Sequence, residues 1–165
     1  MKTELDKIDQ ILVEHLERDA RISISDLADI VDLSRPAVSE RIEKLQKLGV
    51  LKGYAAVVNH NTLGNPVIAF IAARHHSGMI NEKQEQAVYE LSRRKEILEV
   101  HGVAGEDCLY LKVRVKDMKE LNELVSSLQQ PPLSMATRTT IAMITYFQKV
   151  GGIVLMGKQV REKSR

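Results

Sequence analysis

Apolar positions in the first third of the chain recur at helical spacing. Leu5, Ile8, Ile11, Leu12 and Leu16 share one face of a helix predicted over 5–18. Ser23 followed by Asp26 has the form of a capping box, opening a short second helix with Leu27, Ile30 and Val31 inward. Ser34 is placed to cap a third helix, with Pro36 tolerated in the first turn and Gly49 supplying a left-handed stop. Val38, Ile42 and Leu45 form the apolar seam of that helix. Three helices with a tight turn between the second and third make a helix-turn-helix unit.

After Gly49 the period changes. "VLKGYAAVVN" (50–59) is β-branched and predicts a strand or wing, and the turn residues of "HNTLGNP" (60–66) mark a boundary. Strands are then expected at 67–76, 97–105, 108–117 and 137–147. A helix at 82–95 turns Val88 and Leu91 inward, and one at 118–129 turns Leu121, Leu124, Val125 and Leu128 inward, ending before Pro131-Pro132. Strict alternation puts Leu109, Leu111, Val113 and Val115 on one strand face. The order βαββαβ predicts a ferredoxin-like split βαβ domain. The chain is thus read as α+β: a winged helix-turn-helix domain (1–49), a wing and linker (50–66), a βαββαβ oligomerisation and sensing domain (67–150) and a basic tail (151–165). Helices cover one face of such a sheet. The other, expected to carry Cys108, Tyr110 and Lys112, needs a different cover, and a homodimer is expected.

Composition narrows the class. With 44% hydrophobic and 28% charged residues, the 165-residue chain reads as a soluble globular protein. No apolar run reaches the roughly 18 residues that span a bilayer, so no membrane partner is expected. "MKTELDKIDQ" lacks the apolar core of a signal peptide. The single Cys108 allows neither an intrachain disulfide nor a cysteine zinc site, which suits the cytoplasm.

The net charge of +2 matters less than its distribution. Residues 1–32 hold four bases against nine acids, and residues 33–53 hold five bases (Arg35, Arg41, Lys44, Lys47, Lys52) against Glu40 and Glu43. A basic segment behind an acidic scaffold is the footprint of a small nucleic-acid reader, although surface charge clusters by chance as well. On the third helix Glu40–Lys44 and Glu43–Lys47 are also i, i+4 pairs that support a helix without any ligand. If the helix reads double-stranded DNA, its N-terminal end enters the major groove. Ser34, Arg35, Pro36, Ser39 and Glu40 are then the candidates at that end, with Arg35, Ser39 and Glu40 facing base edges. Arg41, Lys44 and Lys52 are the candidates for phosphate.

The remaining signals are weak. His75 and His76, adjacent on a strand, point to opposite faces and read as a strand end. Cys108 beside Glu106 and Asp107 reads as a packed or ligand-lining cysteine rather than a reactive one. "GKQVREKSR" reads as an untethered terminus. The sequence shows no nucleophile–base constellation, phosphate loop or metal cluster, so no catalytic residue, metal or cofactor is expected.

Three stretches carry a family likeness: "LDKIDQILVEHLERDARISISDLADIVDLS", "ERIEKLQKLGVLKGYAAVVN" with "LG" at 63–64, and "EVHGVAGEDCLYLKVRVKD" with "TRTTIAM". From Leu5 to about Phe147 the chain resembles the leucine-responsive regulatory protein / asparagine-operon regulator (Lrp/AsnC) family of transcription factors. The resemblance implies a sequence-specific DNA-binding winged helix joined to an amino-acid-sensing domain. It also implies dimers that assemble into larger rings such as octamers. The effector is then expected at the loop between the second and third strands, here Gly105, Glu106, Asp107 and Cys108. Family members typically read Gly, any residue, an aromatic, then Asp there, and this chain keeps only the glycine in place. Two other readings stand beside this one. Sirohaem decarboxylases share the look of the family, with His101 as a conceivable participant, and an architectural protein would bend DNA with little sequence choice.

Overall fold

The computed structural model describes residues 5–75, 81–150 and 153–156. The chain divides into two compact units, one formed by Val58–Ile144 and the other by the residues up to Val57 together with those from Thr145 onward.

The first unit opens with α1 (Lys7–Arg18), α2 (Ile24–Val31) and α3 (Arg35–Lys47). Each begins at an oxygen-bearing cap: Asp6, Ser23 and Ser34 accept from the backbone N–H three residues on. The Ser23 hydroxyl also meets the Asp26 carboxylate at 2.8 Å, a side-chain variant of the expected box. Asp32, left-handed at φ 52°, ends α2 and aims the chain into the Ser34 cap within a three-residue turn. At the far end of α3 the Gly49 N–H donates to the Gln46 carbonyl and the Val50 N–H to that of Leu45, each at 2.9 Å. That Schellman pair needs a left-handed residue, and Gly49 provides it at φ 70°. Leu12, Leu16, Leu27, Ala28, Val38, Ile42 and Leu45 bury against one another as the core of the three helices.

The segment 50–59, expected as a strand or wing, is not a strand. Val50 and Leu51 fold back on the helical core, while residues 52–59 are irregular and exposed. β-branched composition favours an extended chain, but a strand also needs a neighbouring edge to take its N–H and C=O groups. Residues 151–165, expected as a tail, include a strand instead: β6 (Ile153–Met156) pairs antiparallel with β5 (Phe147–Val150). The rest of the expected tail, 157–165, lies outside the described residues, as does His76.

The second unit has the order β1 (Val67–Arg74), α4 (Glu82–Glu90), β2 (Ile97–Gly102), β3 (Leu109–Val115), α5 (Met118–Gln129) and β4 (Ala136–Ile141). Its four strands are antiparallel in the order β2-β3-β1-β4, the ferredoxin-like arrangement. The helix expected to reach residue 95 ends at Glu90 and runs into one 3-10 turn, Leu91–Arg93, with Leu91 buried. The strand expected to reach 147 ends at Ile141, so Phe147 opens β5 instead. Ala69, Ile71 and Ala73 of β1 pack with Leu109, Leu111, Val113 and Val115 of β3 and with Leu121, Leu124 and Leu128 of α5. Cys108, expected on the opposite face, packs against this core, because it precedes β3 and lies outside the strand's alternation.

Candidate nucleic-acid interface and ligand loop

Once Val38, Ile42 and Leu45 are buried, the rest of α3 is assigned by the helix period. Ser34, Arg35, Pro36 and Glu40 are exposed, and Ser39 is half-buried beside the seam. Arg35 sits in the first turn, and its guanidinium donates to the Ser25 hydroxyl of α2 at 2.8 Å. A long cation is thereby steered across the helix-turn-helix junction, and Ser25 is a residue that sequence reasoning missed. Only the pairing of two helices ten residues apart reveals it. Glu40 has no ion-pair partner among the described residues. Lys52, exposed just beyond α3, likewise has none.

Two of the expected phosphate ligands are otherwise engaged. Arg41 Nη1 lies 2.7 Å from Asp6 Oδ2 and 2.7 Å from Asp9 Oδ1, and Asp9 is fully buried in α1. Lys44 Nζ turns to Asp9 Oδ2 at 3.5 Å rather than to Glu40. Both cations expected at phosphate thus face Asp9, a buried carboxylate that must be paired. The Glu43–Lys47 pair forms as expected, at 3.6 Å.

The Asp9 backbone N–H, then the Arg41 guanidinium, hold the Asp6 carboxyl below the usual aspartate range, and Asp6 and Asp9 together raise Arg41. A depressed carboxyl adds stability that is complete above its unfolded value, about pH 4, and is lost as pH falls through the folded value. Melting temperatures followed from about pH 7 to about pH 3 are expected to fall at the acid end. Asp6→Asn is expected to lower the neutral-pH melt slightly and to flatten the fall by that same amount, a small change because Asp6 is exposed.

In the second unit the β2–β3 connection turns at Gly105, with φ 145°. The Val103 N–H closes it onto the Cys108 carbonyl at 3.0 Å, and the Cys108 N–H donates to Ala73 at 2.9 Å. Of the four expected effector residues, Gly105 and Glu106 are exposed, Asp107 is half-buried, and Cys108 packs into the core. Asp107 is drawn out of the loop. Its Oδ2 accepts from Arg138 at 2.9 Å and from the Tyr110 hydroxyl at 3.3 Å. Ala72 is paired with Tyr110 on one side and Arg138 on the other, so all three share the sheet face away from the helices. Only the strand register brings Arg138 to this loop, 31 residues from Asp107 in sequence.

That face also carries Phe70 between Lys112 and Thr140, with Phe70 and Tyr110 exposed at 43% and 42%. Glu99 accepts from Lys112 at 2.8 Å and approaches His101 at 3.3 Å. Lys112 foremost, and His101 beside it, hold the Glu99 carboxyl below its usual range against the opposing effect of burial. His101 is thus an exposed side chain within hydrogen-bond distance of Glu99.

A helix-turn-helix with a steered arginine at the tip of its second motif helix, followed in the chain by a ferredoxin-like unit with a glycine hairpin loop, defines a class. It is that of DNA-binding transcriptional regulators with a separate ligand-binding domain. An AsnC-type helix-turn-helix domain matches residues 5–46 and an Lrp/AsnC ligand binding domain matches 67–151. The chain belongs to the Lrp/AsnC family of transcriptional regulators. It is 30% identical to the HTH-type transcriptional regulator FL11 of Pyrococcus abyssi over 88% of this chain and 94% of that one. It is 33% identical to the regulator LrpA of Mycobacterium tuberculosis over 89% of this chain and 95% of that one. Among solved structures, the feast or famine regulatory protein of M. tuberculosis complexed with L-methionine superposes with a TM-score of 0.79. The two are 31% identical, covering 89% of this chain and 99% of that one.

Proposed function

We propose that this regulator reads a specific operator through the N-terminal half of α3, and that a small amino-acid-type effector bound beside the β2–β3 loop modulates it. The observation that carries the reading is Arg35: an exposed arginine in the first turn of the recognition helix, held in place by Ser25. Arginine forks onto guanine O6 and N7, and a carboxylate such as Glu40 accepts from a cytosine amino group. Ser34, Pro36 and Ser39 lie against the same stretch of groove, and Lys52 supplies phosphate contact.

The effector reading is supported by the ligand-binding domain match and by the methionine complex of a relative. In this chain Asp107, clamped by Arg138 and Tyr110, occupies the position where the family places an aromatic residue, while Glu106 stays exposed. A second copy of the chain is the proposed cover for Phe70 and Tyr110 on the open sheet face, and for the exposed Val57 and Val58. The same assembly logic extends to an octamer, and the cytoplasm is the proposed location. The experiment is genome-wide recovery of bound DNA followed by footprinting of recovered sites, with and without a panel of amino acids including methionine. Discrete protected sites whose occupancy shifts with one amino acid are expected. Diffuse protection that ignores sequence would overturn the operator reading, and indifference to every amino acid would overturn the effector reading.

A further inference from the structure

We propose that Asp9 is a specificity-determining residue that withholds Arg41 and Lys44 from the DNA backbone. This rests on the proposed reading of α3 as the DNA-contacting helix. Asp9 has no exposed surface, yet both of its carboxylate oxygens face cations of α3: Arg41 at 2.7 Å and Lys44 at 3.5 Å. Asp6 closes the cluster from the exposed side, 2.7 Å from the same Arg41 nitrogen. Two carboxylates thus stand against two cations, and the cluster is neutral. Arg41 is only 27% exposed, and swinging it to a phosphate would leave the buried Asp9 with the more distant Lys44 alone. Stranding one member of a buried pair costs far more than a single solvent-exposed phosphate contact returns.

The consequence lies in the balance between general and specific affinity. Each cation that neutralises a DNA phosphate releases counterions and steepens the fall of log K with log salt by about 0.9. That affinity is blind to sequence, so it raises binding to every competing site. Of the five bases in residues 33–53, Arg41 and Lys44 already face a carboxylate of the protein itself. Asp9 serves as their counter-ion in place of phosphate, and discrimination is left to Arg35 and its neighbours at the start of α3.

The test uses the full chain and a labelled random-sequence duplex, titrated over a series of salt concentrations. Asp9→Asn keeps an acceptor for Arg41 but no charge for Lys44. Random duplex is expected to bind several-fold more tightly, with the slope steeper by about 1. Asp6→Asn combined with Asp9→Asn frees Arg41 too, for a steepening of about 2. A purely structural role for Asp9 would instead weaken binding. Lys44→Gln, at a half-exposed position that does not threaten folding, is the companion variant: it is expected to leave the slope unchanged, whereas Lys52→Gln flattens it by about 0.9. The proposal is overturned if Lys44→Gln flattens the slope as Lys52→Gln does, or if Asp9→Asn folds and binds random duplex no more tightly than the parent. Failure of the underlying DNA reading looks different: the parent chain ignores duplex DNA, or Arg35→Ala leaves sequence preference unaltered.

Discussion

Arg35→Ala is expected to erase discrimination at one or two base positions of the operator half-site while leaving the fold intact. A bidentate arginine–guanine contact is worth about 1–3 kcal/mol against the wrong base, so the preference there should fall by roughly five- to 150-fold. The residue is exposed, and its side chain bonds to the half-buried Ser25, so its loss leaves no buried polar group stranded. Thermal stability should move little. In-vitro selection of bound duplexes, compared between the parent and the variant, reads the effect directly: the affected base position becomes degenerate while neighbouring positions keep their preference. Ser25→Ala should produce a weaker version of the same change, because it frees the guanidinium without removing it. A parent and variant that select the same motif would remove Arg35 from the readout.

Leu45→Ala is expected to cost about 2–5 kcal/mol in the first unit, the usual range for emptying a closed leucine site. Leu45 has no exposed surface and lies in the core that joins α1, α2 and α3. Its carbonyl also receives the Val50 N–H that closes the end of α3. A cavity there loosens both the packing that orients the recognition helix and the turn that ends it. The second unit has a separate core around Leu111, Val113 and Leu124. Urea unfolding should therefore split into two steps, the earlier one belonging to the helical unit, with DNA binding lost along that step. A single transition at the parent midpoint would show that Leu45 does not carry this load.

Much of the architecture was legible because local chemistry and tertiary need agree. The caps at Ser23 and Ser34, the seam of Val38, Ile42 and Leu45, the glycine stop at 49 and the alternation of Leu109 to Val115 all require only neighbours in sequence. Helix α5 falls at its expected bounds, Met118–Gln129, for the same reason: a capping Asp117, four apolar residues at helical spacing, and two prolines beyond its end. The misreadings share a different cause. Residues 50–59 have strand composition but no partner edge within the described chain, and β6 has an edge that composition alone did not advertise.

The candidate sites divide along the same line. The chain by itself determined where the recognition helix begins, which of its faces is buried, and which residues stand at its tip, since all of these follow from the 3.6-residue period and the caps. Only the tertiary structure decided what the charges do. Arg41 and Lys44 looked like phosphate anchors because Asp9 lies 32 and 35 residues earlier and reads as one more acid on a helix. Likewise Asp107 became a partner of Arg138 only through the register of β1 with β3 and β4. Electrostatic pairing depends on distance through space and on burial, and neither quantity is written in the order of residues along the chain.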